Sequence, residues 1–231
     1  MNLILDLLFP KKCVGCKKLD TFFCEDCISN ILQKNLICPE CERLSLGGKT
    51  HSVCRKRSGL DGLWSLGWYQ GPLKKSIKQF KYQRVSNIAE TLSDLLVDYW
   101  IKFQPLVFDL IEKNKKKWLV IPVPLHWWRE NNRGFNQVSL IGQILSKKLG
   151  LDYCEALKRT RYTKSQAALK GQDRHQNIKN AFALSPDCNL SPDACILLID
   201  DVWTTGSTLR ECCEVLKKNG AKQVWAITLA R

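Results

Sequence analysis

The stretch CILLIDDVWTTGST, residues Cys195–Thr208, decides the fold of this chain. It opens with a continuous apolar run, Cys195–Ile199, which is short enough for a strand buried on both faces, as in a parallel sheet. Ligands of such sheets bind at the carboxyl ends of the strands. The residues that follow Ile199 are therefore the first candidates for a binding site.

Two acidic residues and a hydroxyl-rich loop follow this predicted strand. The carboxylates of Asp200 and Asp201 only accept hydrogen bonds, so they suit the two hydroxyl donors of a vicinal diol. The loop Thr204–Thr208 offers hydroxyls and closely spaced backbone N–H groups, and Gly206 lets the backbone approach an anion. A helix predicted over Ser207–Asn219 turns its positive end to the same place. This pattern indicates a sugar-phosphate site, whereas an ordinary strand-to-helix turn would explain the threonines but not the paired aspartates.

The same residues resemble the signature of the type I phosphoribosyltransferases, in which a hydrophobic strand, two acidic residues and a TTG[ST]T-like loop bind phosphoribosyl pyrophosphate (PRPP). The resemblance implies that Asp200 and Asp201 hold the ribose 2- and 3-hydroxyls and that Mg²⁺ accompanies PRPP. It also implies that the 5-phosphate is held by the loop residues Thr204, Thr205, Gly206, Ser207 and Thr208.

A second segment, WLVIPVPLHWWRENNRGFNQ over Trp118–Gln137, joins a short apolar strand to a basic loop. A helix predicted over Asn136–Leu149 follows the loop. Arg129 and Arg133 give the loop the chemistry of a pyrophosphate or nucleic-acid phosphate contact. A solvated basic surface loop is the alternative.

Within this segment, PVPLH followed by RGFNQ resembles the ComF/GntX family, which includes competence proteins with an amidophosphoribosyltransferase-like domain. A third segment, RTRYTKSQAALKGQDRHQNIKNAF over Arg159–Phe182, is polar and basic. It resembles this family and the mobile catalytic loop of glutamine amidophosphoribosyltransferases. The matching positions are Arg159, Thr160, Gln166, Leu169, Arg174, Asn177 and Phe182. A basic loop closing over PRPP would neutralise the leaving pyrophosphate, with Gln166 and Arg174 in that role; a flexible surface loop is the alternative.

The N-terminal quarter carries four ligand pairs with Cys-x2-Cys or His-x2-Cys spacing, and two such pairs complete one tetrahedral zinc site. Short separation favours a first site of Cys13, Cys16, Cys24 and Cys27, which leaves Cys38, Cys41, His51 and Cys54 for a possible second site. Interleaved pairing remains open, and ComF relatives commonly have a cysteine in place of His51. Disulfides are the alternative, but such pairs in a reducing compartment are typical of metal. Sites with four protein ligands are structural. The remaining cysteines are expected to be buried small hydrophobes.

The chain divides near Arg55–Gly59 into a zinc-binding module, residues 1–57, and a phosphoribosyltransferase-like domain, residues 58–231. We expect the two parts to have separate cores because their compositions differ. Strands are predicted at Leu63–Tyr69 and Gln223–Ala230, and helices at Leu73–Tyr82 and Asn87–Lys102. The alternation predicts an α/β fold of the type I phosphoribosyltransferase kind, with a mostly parallel sheet flanked by helices and a small N-terminal zinc-ribbon or knuckle module.

The charge of the chain indicates its class of partner. Lysine and arginine number 36 against 22 acidic residues, a net charge of +14, which favours polyanions. Trp127 and Trp128 lie beside the arginines of the second segment, where they suit stacking with single-stranded bases; burial in the core is the alternative. Four other tryptophans lie in strand patterns and are expected to be buried: Trp64, Trp68, Trp118 and Trp225.

The first residues, MNLILDLLFP, are apolar but too short to cross a bilayer, and they lack a basic flank. We therefore expect no transmembrane segment in a cytoplasmic protein whose N-terminal helix docks on its own fold. Peripheral contact with the inner face of the membrane is the alternative.

Two functions follow from the patterns and the resemblance. The first is a ComF-like competence protein that binds PRPP and handles single-stranded DNA during DNA uptake in natural transformation, with other DNA-uptake proteins as partners. The alternative is a phosphoribosyltransferase that joins PRPP to a nucleobase or amine and releases pyrophosphate. The net charge exceeds what a small-molecule enzyme needs, which favours DNA handling, and no residue stands out as a general base.

Overall fold

A computed structural model describes residues 11–31, 35–80, 86–103, 105–113, 115–125, 134–161 and 176–231. The N-terminal helix expected within residues 1–10 lies outside them. The strands are β1 Gly62–Gly67, β2 Trp118–Pro122, β3 Asp152–Tyr153, β4 Leu157–Arg159, β5 Phe182–Leu184, β6 Cys195–Val202 and β7 Gln223–Ala230. The helices are α1 Glu25–Ser29, α2 Gly71–Phe80, α3 Ser86–Phe103, α4 Pro105–Glu112, α5 Gln137–Leu149 and α6 Ser207–Lys218.

Five of the strands form a parallel sheet in the order β1–β7–β6–β2–β3. Strands β4 and β5 form a separate antiparallel ribbon. The strand predicted at Cys195–Ile199 is confirmed, but β6 continues to Val202 because β7 pairs with it that far, with Val202 opposite Ala230. The two aspartates therefore lie within the strand rather than after it.

Both faces of the sheet are covered, as the continuous apolar run of β6 predicts. Leu197 and Trp225 point to one face, where the apolar sides of α2, α3 and α5 pack. Ile196 and Leu198 point to the other face, which is covered by α6 and by the β4–β5 ribbon. This alternation follows from the two-residue repeat of a strand.

Residues at the two ends of helix α5 explain where this helix begins and ends. Asn136 caps its start, where the side-chain oxygen accepts a hydrogen bond from the N–H of Val138 at 3.1 Å. Gly150 ends it in the left-handed conformation at φ 64°. The helices predicted at Leu73–Tyr82, Asn87–Lys102 and Ser207–Asn219 are also present. The first begins two residues earlier than predicted, and its predicted end at Tyr82 lies outside the described residues.

The expectation of two separate cores is wrong. Val14, Phe23 and Leu36 of the cysteine-rich module belong to the same buried cluster as Trp64 and Trp225 of the sheet. A Cβ atom added at Gly67 would lie 2.0 Å from the carbonyl oxygen of Ile31, so module and strand β1 are in direct contact. The module covers the β1 edge of the sheet, which would otherwise be open. The division of the chain at residues 57 and 58 stays a prediction.

The tryptophans confirm three of four expectations. Trp64, Trp118 and Trp225 are buried, and the rings of Trp64 and Trp225 stack at 4.4 Å between centroids. Trp68 is 48% exposed, which contradicts the prediction, because β1 ends at Gly67 opposite Ala230. Its ring lies 4.2 Å from the Arg231 guanidinium instead. Among the described residues, no helix combines the length and the apolar character needed to cross a membrane.

Candidate functional site

The carboxyl end of β6 holds Asp200 and Asp201, both half-buried. The Asp201 N–H donates to the Asp200 carboxylate at 2.8 Å, which orients that side chain. The neighbouring strand β2 leaves the sheet at the same level, where the Val123 N–H donates to the Ile199 carbonyl at 2.8 Å. The structure thus places the paired carboxylates at the edge where parallel sheets bind ligands.

The loop Thr204–Thr208 turns directly from these carboxylates into helix α6. Gly206 has φ 70°, and a Cβ atom there would lie 2.3 Å from the Trp203 indole, so the turn requires glycine for its conformation and for space. The hydroxyls of Thr205 and Ser207 are 2.6 Å apart. The loop therefore wraps the positive end of α6, an arrangement that suits a phosphate.

Two residues behind the loop were not singled out as site residues by the sequence. Arg210, in the first turn of α6, donates from Nη1 to the Thr205 carbonyl at 2.6 Å. Its guanidinium lies 5.1 Å from the ring of Trp203, which is buried. The Trp203 indole Nε1 has no hydrogen-bond partner in the described parts of the chain. A basic residue one turn after a phosphate loop is a weak signal, because lysine and arginine are common on exposed helix faces.

The second segment is described only at its two ends. Trp127, Trp128, Arg129 and Arg133 fall within residues 126–133, outside the described residues. The Asn136 side chain donates to the Val123 carbonyl at 3.2 Å, so the two described ends of the segment lie side by side. These ends adjoin the carboxyl end of β6 through the hydrogen bond from Val123 to Ile199, and the role expected of the segment stays a prediction.

The third segment emerges from the β4–β5 ribbon. Gln166, Leu169 and Arg174 fall within residues 162–175, outside the described residues. Arg159 and Phe182 pair across the ribbon, with the guanidinium 5.2 Å from the ring. Between the ribbon and the end of β2 lies a cavity of about 300 Å³ that is lined by Pro122, Asn136, Ser139, Glu155, Lys158 and Arg159. The ribbon thus lines a cavity beside the end of β2.

The cysteine-rich module folds into two groups of four potential metal ligands, and the ligand atoms of each group lie within 4.8 Å of one another. The first group is Cys13, Cys16, Cys24 and Cys27; the second is Cys38, Cys41, His51 and Cys54. The local pairing favoured by the sequence is thus the arrangement in the structure, and interleaved pairing is not.

Both groups fit a tetrahedral zinc ion. Zinc–sulfur bonds of about 2.3 Å place two sulfurs of one tetrahedron roughly 3.8 Å apart. The sulfurs of Cys13 and Cys24 are 3.8 Å apart, and Cys41 Sγ lies 3.3 Å from His51 Nδ1. The other ring nitrogen, His51 Nε2, lies 3.0 Å from the Leu44 carbonyl, which accepts its proton and leaves Nδ1 as the ligand atom.

The opening turns of the two groups repeat one backbone geometry. The N–H groups of Cys13 and Cys38 each donate to the carbonyl five residues later, at 2.8 and 2.9 Å. Lys17 and Glu42, each four residues after its cysteine, adopt positive φ angles of 71° and 58°. The two metal knuckles are therefore equivalent local structures, and a histidine in the second group does not disturb them.

The thiol pKa values differ within each group of ligands. Burial raises the pKa of Cys13, but N–H groups of Cys16, Cys24 and Gly15 outweigh it and lower this pKa to about 6. Burial and the neighbouring sulfurs raise the pKa of Cys27 to about 12. The second group likewise contains one thiol with a lowered pKa, Cys38, and one with a raised pKa, Cys54. A divalent cation would allow all four ligands to be deprotonated together.

The remaining cysteines fit the expectation of small apolar residues. Cys188, Cys195, Cys212 and Cys213 are buried, and Cys154 is half-buried. Burial raises the pKa of Cys212 and of Cys213. Cys154 and Cys188 are in direct contact, with their sulfurs 3.1 Å apart.

Comparison with known proteins identifies the family of this chain. A family model described as "Phosphoribosyl transferase domain" matches residues 139–231. "Competence protein F" of Haemophilus influenzae is 34% identical over 224 residues, which cover 95% of this chain and 90% of that protein. This chain belongs to the ComF family. The membership and the parallel sheet confirm the expected phosphoribosyltransferase-like fold.

A second relative also supports ComF membership. "DNA utilization protein YhgH" of Escherichia coli is 32% identical over 216 residues, 88% of each chain. A solved structure titled "Structure of the allosteric regulatory enzyme of purine biosynthesis" covers 66% of this chain and 30% of its own, at 15% identity and a TM-score of 0.39. The ComF relatives extend over the cysteine-rich module as well as the sheet, so both parts belong to the family's common architecture.

Proposed function

We propose that this ComF-family protein binds PRPP at the carboxyl end of β6 and handles single-stranded DNA during DNA uptake in natural transformation. The observation that carries the PRPP proposal is the position of Asp200 and Asp201 at the carboxyl end of β6, separated by two residues from a loop that wraps the positive end of α6. The carboxylates would accept hydrogen bonds from the ribose hydroxyls, and the loop residues Thr204–Thr208 would donate to the 5-phosphate.

The metals have different roles in this proposal. Zinc in the two four-ligand groups would be structural, since a site with four protein ligands has no open position for a substrate. Mg²⁺ would enter with PRPP and neutralise its pyrophosphate. Residues of this chain at the carboxyl end of β6 would orient the sugar. The basic residues Arg129, Arg133 and Arg174 and the amide of Gln166, all in the two flanking loops, would surround the pyrophosphate.

The DNA half of the proposal is supported by the names of the relatives and by charge. The relatives are called competence and DNA utilization proteins, and this chain carries a net charge of +14. Such a charge attracts the phosphate backbone of a single strand. Trp127 and Trp128 would supply base stacking beside Arg129 and Arg133. We place the protein in the cytoplasm, with other DNA-uptake proteins as its partners.

Single-stranded DNA binding should weaken steeply as salt is added. Each phosphate neutralised by a lysine or arginine contributes roughly −0.7 to the slope of log affinity against log salt concentration. Fluorescence anisotropy with a labelled oligonucleotide would measure this slope in sodium chloride. A slope near zero would contradict an electrostatic DNA interface on this basic chain.

A second candidate function is phosphoribosyl transfer, and the match of residues 139–231 to the transferase family model favours it. In that reaction a nucleobase or amine nitrogen forms a bond to the anomeric carbon. The bond from that carbon to the pyrophosphate oxygen breaks, and pyrophosphate leaves with the bonding electrons. Stabilising the charge on the pyrophosphate is the main electrostatic task, and the basic loops would perform it.

Calorimetry and a pyrophosphate assay distinguish the two functions. We expect magnesium–PRPP to bind, and we expect no pyrophosphate release with nucleobases, amines or single-stranded DNA. Release that depends on one acceptor would establish the transferase and name its substrate class. Failure of magnesium–PRPP to bind would refute the proposed site.

A further inference from the structure

One arginine joins the proposed phosphate loop to the second group of metal ligands. Arg210 donates from Nη1 to the Thr205 carbonyl of the loop at 2.6 Å. From Nη2 it donates to the carbonyl of Pro39, which lies 171 positions earlier in the chain. Its Nε lies 3.8 Å from a carboxylate oxygen of Glu40. Pro39 and Glu40 are the two residues between the ligands Cys38 and Cys41, so a single planar group contacts both sites.

Pro39 and Glu40, which Arg210 contacts in the second ligand group, are held in place by their own neighbours. The Glu40 side chain is only 8% exposed, and its other oxygen pairs with Lys56 at 2.6 Å. Lys56 follows the ligand Cys54 by two residues, so both ends of the second ligand group converge on Glu40. Hydrogen bonds from Glu42 N–H to the Cys38 carbonyl and from Cys38 N–H to the Arg43 carbonyl, both 2.9 Å, close the knuckle. The Pro39 carbonyl therefore takes its position from the knuckle.

The hydrogen bond from Arg210 to the phosphate loop has a direct consequence for anion binding. In a planar trans peptide the C=O and N–H groups point in opposite directions. With the Thr205 carbonyl turned to Arg210, the N–H of Gly206 must point away from the guanidinium. Gly206 adopts the left-handed conformation here, and successive N–H groups in such turns form concave anion sites. Arg210 thus sets which side of this peptide is presented to a ligand.

We propose that Arg210 is a positioning residue through which the second metal group controls the phosphate loop. With zinc bound, the knuckle holds Arg210, and Arg210 holds the Thr205–Gly206 peptide with its N–H toward the ligand phosphate. Without zinc, Pro39 and Glu40 lose their fixed positions, the peptide is free to rotate, and affinity for phosphoribosyl ligands falls. This inference rests on the proposed PRPP site and adds a regulator to it.

The planar fork of arginine is essential to this role. Arg210→Lys keeps the charge but supplies one compact donor group, which cannot reach two carbonyls in fixed directions. Arg210→Met keeps the length and apolar contact with Trp203 but removes all donors. Cys54→Ser removes one ligand of the second group and leaves Arg210 unchanged. Lys218→Met is the matched control, because Lys218 lies exposed on the same helix and pairs only with Glu214 among the described ion pairs.

The test is calorimetric binding of ribose 5-phosphate and of magnesium–PRPP to the zinc-loaded full chain and these variants. Loss of one hydrogen bond to a charged group corresponds to about a 10-fold weaker affinity. We expect that loss for Arg210→Met, for Arg210→Lys and for Cys54→Ser, and no change for Lys218→Met. The double variant Arg210→Met with Cys54→Ser should be no weaker than either single variant, since both break one connection.

Amide hydrogen exchange separates positioning from general destabilisation. Faster exchange in Arg210→Met, which keeps all the metal ligands, should be confined to the loop Thr204–Thr208 and to the second knuckle. Faster exchange that extends to β6 and β7 would assign Arg210 a merely structural role and overturn the inference. Multiplicative losses in the double variant, or unchanged affinity in Arg210→Met, would also overturn it. If the unaltered protein binds neither ligand, the PRPP proposal itself fails, which is a different result.

Discussion

Replacing Asp200 and Asp201 together with asparagine should weaken magnesium–PRPP binding by about 100-fold or more. Each carboxylate would lose charge-assisted hydrogen bonds to ribose hydroxyls, which contribute roughly 1.5–3 kcal/mol each, and every 1.4 kcal/mol changes the affinity about tenfold. Asparagine keeps the shape and one oxygen at each position, so the Asp201 N–H retains an acceptor at residue 200. Isothermal titration calorimetry measures the change.

The control for this variant removes the same charge at the opposite end of the sheet. Asp187 and Asp193 are exposed, and Asp193 lies just before the amino end of β6. Asp187→Asn with Asp193→Asn should bind magnesium–PRPP as the unaltered protein does. Both double variants should keep the same far-ultraviolet circular dichroism. Unchanged PRPP binding in the Asp200 and Asp201 variant would remove the basis for the diol interaction.

Removing zinc should unfold the module and also destabilise the sheet. Structural zinc contributes about 10–16 kcal/mol in small zinc-finger peptides, which are unfolded without it. Here the module covers the β1 edge, and Phe23 and Leu36 lie in the same core as Trp64. We therefore expect a strong chelator to lower the thermal unfolding midpoint of the whole chain, as followed by the fluorescence of its tryptophans.

Metal analysis of purified protein provides the direct count. We expect two zinc ions per chain, one in Cys16→Ser and one in Cys54→Ser, and two in the control Cys154→Ser, which lies outside both groups. Protonation competes with metal at each sulfur, so zinc should be lost as the pH falls. The N–H groups that lower the pKa of Cys13 to about 6 favour its thiolate at neutral pH, which helps this sulfur to bind metal there. A folded protein without metal would refute both ligand groups.

Much of the site could be predicted from sequence because its signals are local. The apolar run of β6, the aspartates that follow and the loop at the start of α6 are consecutive residues, and a strand and a helix are read from periods of two and 3.6 residues. The zinc ligands are likewise paired at a spacing of three, and seven residues separate the first two pairs. The ordered local pairing in the structure is the one that short loops favour.

The sequence-based predictions that were wrong concern contacts between segments far apart in the chain. The sequence pattern placed Trp68 in a buried strand, but the pairing of Gly67 with Ala230 ends β1 one residue earlier and leaves that ring under Arg231. Separate cores were expected from composition, yet composition does not show that the module and the β1 edge bury each other. Both outcomes depend on which residues of β7 and of the module lie against β1.

The sequence alone determined the parallel α/β fold, the order of the paired aspartates and the hydroxyl-rich loop, and the paired spacing of the potential metal ligands, since each rests on residues close together in the chain. Only the tertiary structure decided that β6 extends through both aspartates, that the module shares the core of the sheet, and that Arg210 contacts both the loop and the knuckle at Pro39. Contacts between residues far apart in sequence form only when the chain folds, and no local period or spacing encodes them.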